Sequence, residues 1–438
     1  MNDDIAGTIA VGGQTITHPV GIAALALCCY FIFFHRKSIV IPALLIFIFA
    51  VPNAQRIQII SLDFSFLRIV ILAALARAAF SGEFRTLQTN KADKLVFWWM
   101  LWSVIAYGFL NESLSAAMTR TGFMVDAVGA YFVGRIYVKS WSDMKQIAIF
   151  LGYASIPIVI FFLVERSSGR NIFSVFGGIS EYTLVRDGKL RCQGPFPHPI
   201  MAGLFWASLL PWLAVVWKRG EMSKPLLTFM FASIIVIILN TASSTPVMAV
   251  MLFGVGLMFF PYRGTLPLLR WLALFGLVAA QVIMEKGVAH LIARVNIFSG
   301  STGWHRYHLI DQAINHLGEW FLVGTLSTQH WGAGLEDVTN QYILEGVRGG
   351  VLGMLLFVAF LVALFQLVGR AIQVSDSDQD RWIYWCAGVG LFAHMFSFLA
   401  VSYFGQMIAS FFLFSGITAG LCARQIANQT EQRPLTAT

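Results

Sequence analysis

The chain has 438 residues, 57% of them hydrophobic and only 12% charged, with a mean hydropathy of +0.71. Soluble domains carry about 25% charged residues, so this composition excludes a water-soluble globular enzyme. The net charge of +8 comes from Lys and Arg scattered between apolar runs, with no basic patch of the kind that binds nucleic acid.

Lipid can solvate such a chain if the backbone polar groups are satisfied internally, which makes long apolar runs helices. The short alternating segments of a β-barrel are absent. Runs of bilayer length predict spans near 18–34, 39–51, 65–80, 95–110, 118–138, 147–164, 198–217, 226–240, 246–260, 266–284, 341–368, 382–400 and 405–421. The expected fold is an all-α polytopic membrane protein with about 12–13 transmembrane helices. Residues 1–17 contain no Lys or Arg and begin Asn2-Asp3-Asp4, so no cleavable signal peptide is expected. Cys28, Cys29, Cys386 and Cys422 fall in or beside spans, while Cys192 sits in a loop without an obvious disulfide partner. No internal repeat of the transporter kind is visible.

Charge sets the orientation. If the turn at His35-Arg36-Lys37 is cytoplasmic, alternation makes 77–94, 135–146, 218–225, 261–270, 369–381 and the tail cytoplasmic too. These segments hold 18 of the 30 Lys and Arg residues, whereas the short external segments keep only Arg56 and Arg120. That asymmetry puts the amino terminus outside and the carboxyl terminus inside. The chain then divides into amino-terminal helices (1–164), a first long external loop (165–197), central helices (198–284), a second long loop (285–340), carboxy-terminal helices (341–421) and a polar, disordered cytoplasmic tail (422–438).

The two long loops share a face and hold nearly all the external chemistry. The first runs Arg186-Asp187-Gly188-Lys189-Leu190-Arg191-Cys192-Gln193-Gly194-Pro195-Phe196-Pro197-His198-Pro199. Its prolines fix a stiff entry into the following helix, whose amino end is a natural anion site. Arg191 and Arg186 then either serve an anion or anchor to lipid headgroups. The second loop carries Arg294 and the stretch Trp304–Leu317. At 100° per residue, Leu309, Ile310, Ala313, Ile314 and Leu317 form one face with Arg306 in its middle, and Trp304, His308, Asp311 and Asn315 lie opposite. An arginine on a packed face needs a partner, either a protein carboxylate or a ligand phosphate, and its fork suits both. His290, His305, His308, His316 and His330 share this loop, but no HExxH or CxxC pattern accompanies them, so no metal is expected. In the helix that follows, glycines allow close contact, and Arg348 lies some two turns in, where an ionisable residue marks a functional or water-lined position.

These residues resemble the O-antigen ligase and polymerase superfamily of bacterial envelope glycosyltransferases. The resemblance rests on Arg191, Gly194, His198 and Pro199 leading into a helix with Gly203, on Arg294 and Arg306 followed by Gly324, and on Thr339-Asn340 followed by Gly350 and Gly353. It covers residues 165–369. It implies a GT-C-like architecture in the bacterial cytoplasmic membrane, with both long loops periplasmic. It also implies a polyprenyl-diphosphate-linked oligosaccharide donor, a glycan acceptor, other polysaccharide assembly proteins as partners, and no metal, cofactor or nucleotide sugar. Arg191, Arg294 and Arg306 would hold the diphosphate, with His198 and Arg348 as further donor-binding candidates.

Thr339 stands where the family has its signature histidine, the favoured base in the ligases. A polymerase of exopolysaccharide or O-antigen is therefore expected before a ligase acting on another acceptor. Asp337, Glu336 and His330 are the nearest candidates for the base. The competing class is a transporter or flippase that makes no bond, for which Arg68 and Asp126 are the candidate midplane charges. A purely structural membrane component is the third reading, and it gives the loop arginines no role.

Overall fold

The computed structural model describes residues 16–59, 62–284 and 302–432. Arg294 and His290 lie outside the described residues. The chain is overwhelmingly helical. In order come α1 (Pro19–Phe34), α2 (Val40–Phe49), a hairpin of β1 (Arg56–Ile59) and β2 (Leu62–Ser65), α3 (Phe66–Phe80), α4 (Lys91–Leu110), α5 (Leu114–Met124), α6 (Ala130–Tyr137) and α7 (Trp141–Ser168). A second hairpin, β3 (Leu184–Arg186) and β4 (Lys189–Arg191), precedes α8 (Pro199–Ala207), α9 (Leu210–Arg219), α10 (Lys224–Asn240), α11 (Ser244–Met258) and α12 (Leu266–Ile283). The rest is α13 (Thr302–Asn315), α14 (Leu317–Trp320), α15 (Gln341–Val374), α16 (Asp378–Ser397) and α17 (Gln406–Gln432).

Five helical segments among the described residues are long and apolar enough to cross a membrane: Trp141–Ser168, Pro199–Arg219, Phe260–Ile283, Gln341–Val374 and Gln406–Glu431. Shorter apolar helices accompany them at Pro19–Phe34, Lys37–Phe49, Lys224–Asn240 and Ser244–Met258. The exposed surface is itself apolar. Trp271, Phe275, Val282 and Ile283 on α12 are all exposed, and α12 buries no residue at all. A soluble protein does not display so large an apolar surface; a helix facing acyl chains does.

Several predicted spans differ in detail. Residues 118–138 are broken by a π-helical turn at Val125–Gly129, and 198–217 divide into α8 and α9. The tail is not disordered from residue 422. Helix α17 runs on to Gln432 because Ile426 joins the core, Gln425 donates to Ser375 Oγ at 3.4 Å and Gln429 to Asp376 Oδ2 at 2.6 Å. The first long loop begins later than expected, since α7 continues to Ser168 before Gly169 ends it in the left-handed region. Arg68 and Asp126, the charges a transporter could use, satisfy each other through two bonds of 2.9 and 2.7 Å.

Glycines serve two different purposes in the fold. Gly134 on α6 and Gly416 on α17 leave no room for a Cβ against the facing backbone, which lets these two helices pack closely. Gly349 and Gly350, in contrast, break α15, with Gly350 at φ +66°. The neighbours there are the loop at residues 321–325 and Trp102 of α4. The Thr325 N–H donates to Val347 O at 2.9 Å, the Val351 N–H donates to Phe321 O at 2.9 Å, and the Trp102 indole donates to Gly349 O at 2.6 Å. The freed backbone groups are thus satisfied by protein, the condition for a broken helix at membrane depth.

Contacts sort the connecting segments into two sets that match the charge-based alternation. On one side, Glu83 pairs with Lys37 and Lys139, Glu221 with Lys145 and Arg219, Arg219 with Asp380 and Arg263 with Asp378. On the other, Ile16 bridges Arg56, Gln55 donates to Phe176 O, and Gln406 donates to Pro195 O. The lysine and arginine count predicts a cytoplasmic position for the first set. In a cysteine-free background, Ser180→Cys should therefore react with a membrane-impermeant thiol reagent in intact spheroplasts, whereas Ser223→Cys and Ser377→Cys should react only after permeabilisation. The reverse labelling pattern would invert the orientation.

Candidate functional site

The first loop is built around a tight turn. Asp187 (φ 50°) and Gly188 (φ 71°) both occupy the left-handed region, as a two-residue hairpin requires, and Arg186 pairs with Lys189 and Leu184 with Arg191 across β3 and β4. The turn after the hairpin is locked by Glu165 at the end of α7. Its carboxylate accepts from the Gln193 and Gly194 N–H groups at 3.0 Å each and from Thr183 Oγ1 at 3.3 Å. Asn171 adds a bond to Gly194 O at 2.7 Å, and the Cys192 N–H donates to Asn240 O at 3.0 Å. Cys192 is buried with a free thiol.

This scaffold delivers Arg191 into the protein. Arg191 is buried, and one Nη donates to Ser243 Oγ at 2.9 Å, while its Nε has no partner. His198 caps α8 just before the apolar segment, its Nδ1 accepting from the Ile200 N–H at 3.2 Å. Burial, then the charges of Arg191 and Arg186, push this imidazole down to about 3, so it stays neutral. Arg191 is lowered to about 10 by burial and by the Arg186 charge, with Asp187 opposing.

The second loop meets the first here. Arg306 on α13 is half-buried and is lowered by desolvation and by the charge of Arg186. It has no hydrogen bond or ion pair among the described residues. Arg186, Arg191 and Arg306 thus form one electropositive group beside the neutral His198, with Asp187 at 4.0 Å from Arg186 as the carboxylate next to it. The helix face predicted around Arg306 is only half correct. Leu309 and Ala313 are buried with Trp331, Leu335 and Val338 in a small second core, but Ile314 and Leu317 are exposed. The loop supplies too few partners to cover the whole face.

Residues 332–340 fold over the same end of α13. His305 Nε2 lies 2.9 Å from Gly334 O, and its charge acts on Asp337. The Asp337 side chain is exposed, yet the surrounding loop raises its carboxyl above the usual range by desolvation, with Glu336 adding to the rise and His305 opposing it. Asp337 is not the cap of α15. That role belongs to Asn340, which accepts from the Tyr342 and Ile343 N–H groups at 3.0 and 3.2 Å. Thr339 has a buried hydroxyl with no partner among the described residues. Glu336 is exposed.

Two candidates stand elsewhere. His330 is bonded to Glu319 through Nε2 at 2.7 Å. Arg348 is the last helical residue before the break in α15, close enough for its charge to act on Arg120. Arg120 in turn lies 3.8 Å from Glu345, which also accepts from Trp99 and Gln341. Sequence reading missed Arg186 as the charge common to Arg191, His198 and Arg306, and Glu165 as the organiser of the turn. The Asp187-Gly188 dipeptide between two short alternating runs was the available signal for the first; nothing local marks the second. No known protein family matches this chain, and no curated protein matches it either.

Proposed function

We propose that this chain is a membrane glycosyltransferase that joins polyprenyl-diphosphate-linked glycan units on the periplasmic face of the bacterial cytoplasmic membrane. The reading begins from the apolar runs, which give about a dozen spans, and from the family resemblance of residues 165–369, which gives a GT-C-like arrangement. One observation carries it furthest: a buried arginine with an unused Nε, Arg191, grouped with Arg186, neutral His198 and an Arg306 that no carboxylate among the described residues pairs. A buried cation without a partner is costly, and a dianionic or trianionic ligand group relieves that cost for several arginines at once.

In the reaction, an acceptor hydroxyl attacks the anomeric carbon of the donor sugar. A new C–O bond forms there, the bond to the diphosphate oxygen breaks, and the lipid diphosphate departs with that electron pair. The arginines stabilise the charge that builds on the departing oxygen. Asp337 takes the hydroxyl proton, a task its raised carboxyl suits better than an ordinary carboxylate would. A polymerase is preferred to a ligase because Thr339 cannot act as a base at neutral pH. A flippase is disfavoured because Arg68 and Asp126 neutralise each other.

The direct test reconstitutes the purified protein in proteoliposomes with a polyprenyl-diphosphate oligosaccharide. Lengthened lipid-linked glycan together with released polyprenyl diphosphate is expected. Movement of intact donor across the bilayer with no diphosphate released would replace this reading with transport.

A further inference from the structure

A separate cluster of metal-ligating side chains lies on the second loop, outside the group just described. His316 follows the end of α13, Glu319 is three residues further on in α14, and His330 sits in the single turn Gln329–Trp331. His316 Nδ1 is 2.7 Å from Glu319 Oε1, and His330 Nε2 is 2.7 Å from Glu319 Oε2. One donor atom from each of the three residues falls within 4.8 Å of the others. The arrangement is supported from behind. The Trp331 indole donates to Glu319 Oε2 at 3.0 Å, and its ring stacks on His316 at 5.5 Å and 13°.

We propose that His316, Glu319 and His330 bind one divalent transition-metal ion, with Zn²⁺ the best fit, leaving a further position to water. Two imidazoles and a carboxylate are the donor set zinc accepts in three-ligand sites. The indole bond to the carboxylate is the kind of outer support such ligands receive. Ligand bonds of about 2.0–2.2 Å at a tetrahedral ion separate neighbouring donors by roughly 3.3–3.6 Å. The two 2.7 Å contacts must therefore open slightly. The side chains are 28%, 39% and 53% exposed for His316, Glu319 and His330 and have room to do so.

The ion would act as a clip. It would join the end of α13 to residue 330 and close the loop that carries Phe321 and Thr325, whose backbone groups bond to the broken ends of α15. This role is structural, lies apart from the arginine group, and does not depend on glycosyl transfer. His316 and His330 stand in the histidine-rich loop, but one residue pair at i, i+3 and a third ligand eleven residues later match no common zinc pattern, and it is the fold that sets Glu319 between them.

The test uses tag-free protein in detergent, stripped with chelator and titrated with Zn²⁺ by calorimetry, and with Co²⁺ by visible absorption. One equivalent should bind, with a ligand-field spectrum of low coordination number for Co²⁺. His316→Ala and His330→Ala should each weaken Zn²⁺ binding by at least about 10-fold, and His308→Ala should leave it unchanged. Glu319→Gln, which keeps the shape of the side chain, should weaken it as well. Absence of stoichiometric binding by the wild-type protein would overturn the site. So would wild-type affinity in both histidine variants.

Discussion

Arg191→Lys and Arg306→Lys should each lower polymer yield by about 10²-fold or more, with normal protein level and an unchanged melting temperature. Loss of a single fixed donor to a developing oxyanion costs about 10²–10³-fold in well-studied cases. Lysine preserves the charge but not the planar fork that meets two phosphate oxygens at once. Arg191 already uses one Nη on Ser243 Oγ, so its remaining donors include the unpartnered Nε, which lysine lacks. Ser243→Ala should have a much smaller effect, since it frees the guanidinium without removing it. The measurement is polymer amount and length on gels from cells, beside diphosphate release in proteoliposomes. Wild-type polymer in both arginine variants would remove the diphosphate clamp.

Asp337→Asn should lower the rate of chain extension by about 10²–10⁴-fold, the usual contribution of a positioned general base. The substitution separates chemistry from stability cleanly because Asn340, not Asp337, caps α15. Asparagine keeps the size and polarity of an exposed side chain, so melting temperature should not move. The pH profile gives a second reading. A base must be deprotonated to act, and desolvation raises the Asp337 carboxyl. Activity should therefore begin to fall, on acidification, at a pH above the ordinary carboxylate range, and this limb should vanish in Asp337→Asn. Full activity in that variant would exclude Asp337 and direct attention to Glu336 and His330. Of these, His330 is engaged with Glu319, and Glu336 is the freer group.

The sequence by itself determined the solvent and the class. With 12% charged residues and long apolar runs, only a helical membrane protein satisfies its backbone, and the structure has the long apolar helices this demands. The pairing of segments was also legible, because Lys and Arg must stay on accessible loops; Glu83, Glu221, Asp378 and Asp380 then gather those loops by ion pairs. Arg191 could be singled out because it lies just ahead of a helix amino end, and Arg306 because it falls on an apolar helix face.

What hydropathy could not show was the path of the backbone where it departs from a straight helix. The break at Gly349–Gly350 is possible only because residues 321–325 and Trp102 supply its hydrogen bonds, and those partners are remote in sequence. The tail beyond residue 422 reads as polar, yet Gln425 and Gln429 find partners on another segment and extend the helix. The same holds for the charges. Whether Arg306 faces a carboxylate or another arginine depends on how the two loops dock, and it is Arg186, 120 positions away, that acts on it. Local sequence sets which groups are costly to bury; only the tertiary structure decides which of them are left without a partner, and those are the ones available to a ligand.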